Sequence, residues 1–326
     1  RRKDDDFRMK AVIMAGGEGT RLRPLSLGHP KPMTPFLGKP VMEHIISLLK
    51  EHGITDICVT LCFQPGAVMD YFGSGERLGV QLTYFVEEEP LGTAGSVKNC
   101  MSHLNGEDFL VIGGDCVCDL DLSELLRFHR ERGGEATLAL CHHAAPLEYG
   151  LVVVDPSGRV ERFVEKPSWG QVVTDLVNTG IYVLSPAAME RVPEHSAYDF
   201  GKELFPTMLQ EGAPLYGCPL SGYWCDMGDC GAYLNCVGDA LSGKAKLDIG
   251  LPQRGPGIWS AQELPEDVSL VPPCWIAADV TLGAGALVGP HAVLEHGASV
   301  EQKTMVQRSV LLERACAGPR ATLYGA

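Results

Sequence analysis

A six-residue period near the carboxyl terminus is the feature that most restricts the fold of this chain. Aliphatic residues recur at intervals of six, and a small or β-branched residue stands four positions after each of them. The aliphatic positions are Leu270, Ile276, Leu282, Val288, Leu294, Val300, Val306 and Leu312. Such a repeat is typical of a parallel β-helix, in which each aliphatic side chain fills a corner of a triangular coil. We therefore predict a short left-handed parallel β-helix over residues 266–318.

The repeat and the segment before it contain few residues that indicate a chemical reaction. Glycine and proline become frequent over residues 244–265, which predicts a linker between the repeat and an amino-terminal domain over residues 9–243. Hexapeptide acyltransferases place a histidine on such coils, and His291 and His296 lie in this one. Because the coil is short and no acyl-carrier pocket is evident, acyl transfer is a minor alternative to stacking, capping and subunit contact.

A second informative stretch begins at the apolar run 11–14, which predicts a buried parallel strand. The run leads into Ala15-Gly16-Gly17-Glu18-Gly19-Thr20-Arg21, and Pro30-Lys31-Pro32 follows. Small residues after a strand let backbone N–H groups approach an anion, and the arginine and lysine add positive charge. No Gly-Lys-Ser/Thr follows, and Leu22 stands where a dinucleotide fingerprint needs its third glycine. The stretch therefore predicts a phosphate-binding loop of another kind.

Helical and strand patterns alternate after this loop, which predicts right-handed crossovers and a mainly parallel sheet. Ligands of such sheets lie beyond the carboxyl ends of the strands. Four later segments place polar residues at predicted strand ends: Glu87–Gly95, Gly113–Asp115, Glu165–Pro167 and Trp224–Asp226. Taken alone, each has a plain structural interpretation as a helix start, a turn, a solvated charge or a capping residue.

Taken together, these segments resemble the motifs of the sugar-1-phosphate nucleotidyltransferases, which join a nucleoside triphosphate to a sugar 1-phosphate and release pyrophosphate. The motifs are GGxGTRLxPL with PKP, then PLGTAG, GGD, EKP and WxD, and they stand in the family's order. Ser26 replaces the usual threonine, which we expect to be a mild change. The resemblance covers nearly the whole chain and implies an α/β, Rossmann-like nucleotidyltransferase domain with a mainly parallel sheet.

The resemblance also implies roles for individual residues. The implied nucleotide-binding residues are Ala15, Gly16, Gly17, Gly19, Thr20, Arg21, Lys31, Glu88, Pro90, Gly92, Thr93 and Ala94. Those implied for the sugar phosphate are Gly150, Glu165, Lys166, Asn178 and Thr179. Asp115 and Asp226 are implied to bind Mg²⁺. Catalysis by alignment and charge neutralisation then rests on Arg21, Lys31, Asp115, Lys166 and Asp226, with the substrate's own phosphate as nucleophile.

The segments most resemble the bacterial mannose-1-phosphate guanylyltransferases that carry a hexapeptide tail. We therefore expect GTP and mannose 1-phosphate as substrates and GDP-mannose as product. Glucose 1-phosphate with UTP, dTTP or ATP is the alternative substrate pair. A catalytically silent subunit that senses nucleotide sugars is an alternative function, although such paralogues tend to lose members of the charged set retained here. A homo-oligomer is expected.

Composition and charge limit the binding partners and the cellular compartment that we expect for this chain. A net charge of −14 argues against a nucleic-acid partner, and no apolar run is long enough to predict a membrane-spanning helix. The charged residues 1–8 lack the apolar segment of a signal peptide, which predicts a disordered lead-in, a native start at Met9 and a cytoplasmic location. Zinc on Cys218, Cys225, Cys230 and Cys236 is a minor alternative to reduced thiols. Some longer relatives continue into a phosphomannomutase-like domain, so the chain can be part of a longer protein.

Overall fold

The computed structural model describes residues 9–326, and the predicted lead-in over residues 1–8 lies outside the described residues. The amino-terminal strands are β1 (Lys10–Met14), β2 (Pro35–Phe36), β3 (Lys39–Pro40), β4 (Asp56–Leu61), β5 (Gln81–Val86), β6 (Phe109–Gly113), β7 (Cys116–Cys118), β8 (Ala136–His142), β9 (Leu151–Val154), β10 (Val160–Val164), β11 (Leu176–Leu184), β12 (Leu215–Pro219) and β13 (Trp224–Asp226). The helices are α1 (Val41–Glu51), α2 (Pro65–Phe72), α3 (Gly92–Asn99), α4 (Leu122–Arg132), α5 (Pro186–Met189), α6 (Phe205–Glu211) and α7 (Cys230–Leu241).

The predicted α/β architecture is confirmed. A nine-stranded sheet runs in the order β10-β9-β11-β6-β1-β4-β5, with β8 and β12 extending from β11. The strands β6, β1, β4 and β5 are parallel to one another, whereas β11 is antiparallel to its neighbours and β9 and β10 form an antiparallel hairpin. The parallel strands end at one edge of the sheet, which is where the glycine-rich loop begins.

The central strand β1 is buried on both faces because helices cover the sheet from both sides. Ala11 and Ile13 pack with residues of α1, α2 and α4, and Val12 packs on the other face with residues of α3 and α6. This double burial explains why the strand is a continuous apolar run rather than an alternating one. A wide π-type turn over Phe200–Leu204 continues directly into α6.

The carboxyl-terminal strands are short and form three sheets. They are β14 (Gln253–Gly255), β15 (Ile258–Ser260), β16 (Ser269–Leu270), β17 (Cys274–Ile276), β18 (Thr281–Leu282), β19 (Leu287–Val288), β20 (Ala292–Leu294), β21 (Ser299–Val300), β22 (Met305–Gln307), β23 (Val310–Leu311), β24 (Cys316–Ala317) and β25 (Thr322–Tyr324). From β15 onward every strand pairs in parallel with a strand of a neighbouring coil. This arrangement fits the predicted parallel β-helix, and residues 253–324 are called the repeat domain below.

The repeat domain extends beyond its predicted bounds on both sides. Strand β15 lies within the predicted linker and pairs with β17, and β25 lies after the predicted end and pairs with β22. Pairs such as Ser269 with Leu287 and Thr281 with Ser299 are 18 residues apart, so one coil contains three six-residue repeats.

The last position of the predicted period is wrong by one residue. Leu294 pairs with Leu311, 17 residues later, and Leu311 is buried whereas Leu312 is only partly buried. Ser309 is wholly buried, and its hydroxyl donates to the carbonyl of Gln307 at 2.7 Å. The coil that contains this turn is one residue shorter than those before it, so the aliphatic side chain that reaches the core comes one position earlier.

The repeat domain shares a hydrophobic core with the amino-terminal domain. Phe36 and Leu37 of the β2–β3 hairpin, together with Tyr233 of α7, pack in one cluster with Trp275 and Val293 of the repeat domain. The two parts of the chain therefore support each other near the loop that carries Lys31. No helix among residues 9–326 combines the length and apolar character needed to cross a bilayer.

Candidate active site

Two aspartates and one lysine meet at the carboxyl edge of the parallel strands. Asp115 follows β6 through Gly114, and Asp226 ends β13, which pairs with β7 so that Asp226 lies opposite Cys116. The Nζ of Lys31 lies 2.6 Å from Oδ2 of Asp115 and 3.1 Å from Oδ1 of Asp226. The short β7–β13 ribbon thus brings together two carboxylates that are far apart in the sequence.

The glycine-rich loop holds Lys31 in this position. Gly19 has a left-handed backbone with φ 71°, and a Cβ added there would lie 2.8 Å from the Cβ of Lys31. The Ser26 hydroxyl donates to the carbonyl of Gly19 at 2.7 Å, so serine still supplies the hydroxyl for which the family uses threonine. Burial lowers the pKa of Lys31, but the charges of Asp115 and Asp226 outweigh this effect and raise the pKa above the ordinary lysine range.

The donor set suits Mg²⁺ better than a metal held by protein ligands alone. Among residues 9–326 no three histidine, cysteine, aspartate or glutamate side chains are grouped to hold a metal ion. The cysteines of the zinc alternative are free and lie on β12, β13 and α7. Asp115 and Asp226 keep about a third of their side-chain surface exposed, at 34% and 31%. Two accessible carboxylates that leave further positions to phosphate oxygens and water are the usual Mg²⁺ arrangement.

A cavity of about 310 Å³ lies on one side of Asp115 and is called the nucleoside-side cavity. Its lining includes five of the residues implied for nucleotide binding: Gly16, Gly17, Pro90, Gly92 and Thr93. Ala15 and Ala94 do not reach it, because both are buried in the core and their N–H groups donate to the carbonyls of Thr60 and Tyr198. Glu88 is exposed and lies outside the lining, whereas the preceding residue Glu87 lies within it.

Sequence analysis did not identify Glu87 as a residue of the nucleoside-side cavity. Glu87 is only 7% exposed, and its Oε2 accepts a hydrogen bond from the N–H of Leu91 at 3.1 Å. Its Oε1 is buried and has no hydrogen-bond partner among residues 9–326. A buried carboxylate oxygen without a donor is costly unless a ligand supplies one. The sequence signal that could have identified Glu87 was its position as the first residue after β5, at the edge of the sheet where ligands bind.

A second cavity, of about 470 Å³, lies on the side of Asp226 and is called the sugar-side cavity. Arg21 and Lys166 line it together with Tyr149, Gly228 and Asn235. Lys166 follows β10 in a left-handed conformation with φ 43°. Asn235 lies on α7, and no sequence motif pointed to it. The Lys31–Asp115–Asp226 cluster therefore stands between two cavities. Asp115 lines the first, with residues of the loop and α3. Asp226 lines the second, with the cations Arg21 and Lys166 and the acids Glu148 and Asp229.

Comparison with known proteins identifies the family. Residues 10–242 match the Nucleotidyl transferase family. The chain belongs to the sugar-1-phosphate nucleotidyltransferase family. It is 32% identical to the UTP–glucose-1-phosphate uridylyltransferase of Synechocystis over 97% of this chain and 86% of that protein. It is 33% identical to the mannose-1-phosphate guanylyltransferase of Mycobacterium tuberculosis over 93% of this chain and 83% of that protein.

A solved structure is similar as well. The crystal structure of HddC from Yersinia pseudotuberculosis complexed with GMP-PN has a TM-score of 0.61 and 27% identity, covering 70% of this chain and 97% of that chain. The nucleotidyltransferase thus has relatives named for different nucleotides and sugars at nearly equal identity. Overall sequence similarity therefore does not decide between these substrates. The choice depends on individual residues of the two cavities.

Of the five residues implied for the sugar phosphate, Lys166 lines the sugar-side cavity, whereas Gly150, Glu165 and Asn178 are outside its lining. A Cβ on Gly150 would lie 2.8 Å from Oε2 of Glu165, so a larger residue there would displace that carboxylate. Burial, together with the charge of Asp199, raises the pKa of Glu165. The amide of Asn178 donates to the Tyr182 hydroxyl at 3.0 Å.

Thr179 is also outside the lining of the sugar-side cavity. It is 5% exposed, its hydroxyl donates to the carbonyl of Ala139 at 2.8 Å, and the N–H of Ile181 donates back to that hydroxyl. The side chain bridges β11 and β8 inside the sheet, where it stabilises the register of the two strands.

The glycines of the α3 segment allow close packing against another backbone segment, which the sequence motif did not predict. A Cβ on Gly92 would lie 2.6 Å from the carbonyl oxygen of Tyr198, and one on Gly95 would lie 2.6 Å from that of Ser196. The backbone of residues 196–198 therefore lies directly on the start of α3. Gly92 also lines the nucleoside-side cavity, so the close packing sets the shape of the cavity wall.

Proposed function

We propose that this nucleotidyltransferase transfers a guanylyl group from GTP to mannose 1-phosphate, forming GDP-mannose and pyrophosphate. The observation that carries the choice of base is the buried, unpartnered carboxylate oxygen of Glu87 in the nucleoside-side cavity. The choice of sugar rests on the resemblance of the sugar-side segments to the mannose-1-phosphate guanylyltransferases and on the presence of such an enzyme among the relatives.

The argument for guanine is one of donors and acceptors. An ionised carboxylate only accepts hydrogen bonds. The pairing edge of guanine presents two adjacent donors, N1–H and the N2 amino group, which a carboxylate can accept together. Uracil and thymine present a single N–H between two carbonyl oxygens, and adenine presents a ring-nitrogen lone pair beside its amino group. Each of these places an acceptor against Glu87, and an opposed pair of acceptors is a strong basis for rejection.

The charged residues support in-line transfer at the α-phosphate. An oxygen of the sugar phosphate forms a bond to the α-phosphorus, the bond from that phosphorus to the bridging oxygen breaks, and pyrophosphate leaves with the electron pair. No proton transfer and no protein nucleophile are needed. Lys31 lies between the two cavities, where it can neutralise charge on the reacting phosphates, and Lys166 and Arg21 line the side from which the sugar phosphate approaches.

We propose Asp115 and Asp226 as the ligands of Mg²⁺. When bound, Mg²⁺ supplies charge neutralisation and alignment of the phosphate oxygens. Because both carboxylates pair with Lys31, the lysine has to release at least one of them as substrates enter. The released ammonium then remains within reach of the same phosphates, so the positive charge of the site is redistributed rather than lost.

The direct test is a pyrophosphate-release assay with Mg²⁺ over a grid of GTP, UTP, dTTP and ATP against mannose 1-phosphate and glucose 1-phosphate. We expect the highest kcat/KM with GTP and mannose 1-phosphate. A higher value for UTP or dTTP would overturn the guanine assignment, and a higher value for glucose 1-phosphate would overturn the sugar. Binding of nucleotide sugars without turnover of any pair would instead identify the silent sensing subunit.

A further inference from the structure

Helix α7 presents one face to the sugar-side cavity. Gly231, Ala232 and Asn235 line this cavity, and Asn235 follows the other two at spacings of four and three residues. Residues at these spacings lie on the same face of a helix. Glycine and alanine carry no polar side-chain atoms, so the side-chain amide of Asn235 is the polar group that this face of α7 offers to a ligand.

Arg308 of the repeat domain holds the oxygen of this amide. Its guanidinium donates to Oδ1 of Asn235 at 2.8 Å. A guanidinium has donors and no acceptor, so it can pair with the amide oxygen but not with the amide NH2 group. Arg308 is outside the lining of the sugar-side cavity, whereas Asn235 is within it. The contact therefore directs the oxygen towards Arg308 and leaves the NH2 group as the donor for a ligand in the cavity.

The backbone of the repeat domain fixes the place from which Arg308 reaches α7. Arg308 directly follows β22, which pairs with β19 on one side and β25 on the other. It has a left-handed conformation with φ 47°, and its N–H donates to the carbonyl of Pro290 at 2.8 Å. The guanidinium that orients Asn235 is therefore carried by a turn that is hydrogen-bonded within the β-helix.

The sugar-side cavity contains both donors and acceptors. Arg21 and Lys166 are cationic donors, whereas Glu148 and Asp229 are acids. Sugar hydroxyls can donate to such acids, but the oxygens of an ionised phosphate only accept hydrogen bonds, from cationic and neutral donors alike. The NH2 group of Asn235 is a neutral donor with a fixed direction, so the part of a sugar 1-phosphate that it matches is the phosphate.

We propose that Asn235 is a binding residue for sugar 1-phosphate, that its amide NH2 group donates to a phosphate oxygen, and that Arg308 is its positioning residue. The repeat domain thereby completes the sugar-side cavity without touching the substrate. The identity of the ligand rests on the proposed transferase function, whereas the hydrogen bond itself requires no particular sugar or base.

The first test measures KM values of Asn235→Ala and Asn235→Asp, using whichever substrate pair the pyrophosphate assay supports. We expect the KM for sugar 1-phosphate to rise about tenfold in Asn235→Ala at similar kcat. It should rise further in Asn235→Asp, because aspartate still accepts from Arg308 but turns a second acceptor towards the phosphate. The KM for the nucleoside triphosphate should stay the same in both variants.

These variants are expected to fold, because Asn235 is exposed and alanine is a better helix former than asparagine. Thermal unfolding checks this. A normal KM for sugar 1-phosphate in Asn235→Asp would overturn the phosphate contact. A rise in the KM for the triphosphate alone would overturn the assignment of the ligand.

The second test is a double-mutant cycle with Arg308→Met, which removes the donors of the guanidinium. We expect the KM for sugar 1-phosphate to rise about threefold in the single variant and no further when Arg308→Met is added to Asn235→Ala. Arg314→Met is the control, because Arg314 lies on another exposed, left-handed turn outside the cavity lining. An equal rise in both backgrounds would show that Arg308 acts through its own charge and would overturn its positioning role.

Isothermal titration with mannose 1-phosphate and with glucose 1-phosphate separates this proposal from the proposed function. If no substrate pair is turned over, weaker binding of a sugar 1-phosphate by Asn235→Asp than by the unmodified protein still supports the role of Asn235. Equal binding by the two proteins would overturn that role, and failure of the unmodified protein to bind either probe would overturn both proposals.

Discussion

The ammonium nitrogen of Lys31 lies 2.6 Å from a carboxylate oxygen of Asp115. With Asp226 on its other side, one buried cation neutralises two acids at the boundary of the nucleoside-side and sugar-side cavities. Two carboxylates this close repel each other unless a cation stands between them. The lysine therefore stabilises the arrangement before substrates bind and is correctly placed to act on phosphate charge afterwards.

Replacing Asp115 by asparagine keeps the shape of this cluster and removes one charge. We expect turnover to fall by about 10²–10³, the scale for removal of one preorganised electrostatic contact, in a protein that still folds. Steady-state kinetics and circular dichroism measure the two effects. The control is Asp121→Asn, because Asp121 caps α4 through the N–H of Glu124 and asparagine is an equally good cap. Near-normal turnover of folded Asp115→Asn protein would contradict the proposed role.

Replacing Glu87 by glutamine converts one of its acceptors into a donor. We expect kcat/KM for GTP to fall about 100-fold, with a smaller loss or a gain for UTP and dTTP, because an amide can pair with a donor and an acceptor side by side. The neighbouring substitution Glu88→Gln, on an exposed side chain outside the cavity, should leave the nucleotide preference unchanged. If Glu87→Gln and Glu88→Gln behave alike, Glu87 does not read the base.

Glu87 also illustrates how far sequence reasoning extends. The resemblance to the family motifs led to Lys31, Asp115 and Asp226, and the structure brings the three together. The resemblance pointed to Glu88 and not to Glu87, because which of two adjacent acids faces the cavity depends on the residue at which β5 ends. A shift of one residue in a strand reverses the face of every side chain after it.

The repeat domain and α7 show two further reasons why the structure differs from the sequence predictions. The six-residue period predicted the parallel strands, but the period cannot show that one coil is a residue shorter, so Leu312 was predicted at a place that Leu311 occupies. Asn235 belongs to no motif. It reaches the sugar-side cavity only because β13 and the repeat domain fix where α7 lies, and such tertiary placement has no local sequence signal.

Gly19→Ala tests whether the loop positions Lys31. The new Cβ would lie 2.8 Å from the Cβ of Lys31 on a backbone with φ 71°. The backbone strain costs about 1–2 kcal/mol of stability, and displacement of the lysine should add a loss of turnover of about tenfold or more. Gly53→Ala is the matched control, because Gly53 has φ 77° but nothing within 4 Å of an added Cβ. Thermal unfolding should show similar destabilisation in both variants, and kinetics should show lost turnover only in Gly19→Ala.

Glu295 lies buried at the contact between the two domains. We therefore predict that the stability of the protein depends on pH. Glu295 is 6% exposed, accepts a hydrogen bond from the N–H of Gly38 at 3.0 Å, and has a pKa raised chiefly by burial. The folded protein therefore holds this proton to higher pH than the unfolded chain does, so stability falls as pH rises from the ordinary glutamate range through the raised pKa. Glu295→Gln keeps the acceptor and removes the buried charge, so we expect it to raise Tm by about 2 °C at pH 8 and less at pH 4. Differential scanning calorimetry at both pH values measures this, with the exposed Glu301→Gln as control; equal shifts at the two pH values would show that charge burial is not the cause.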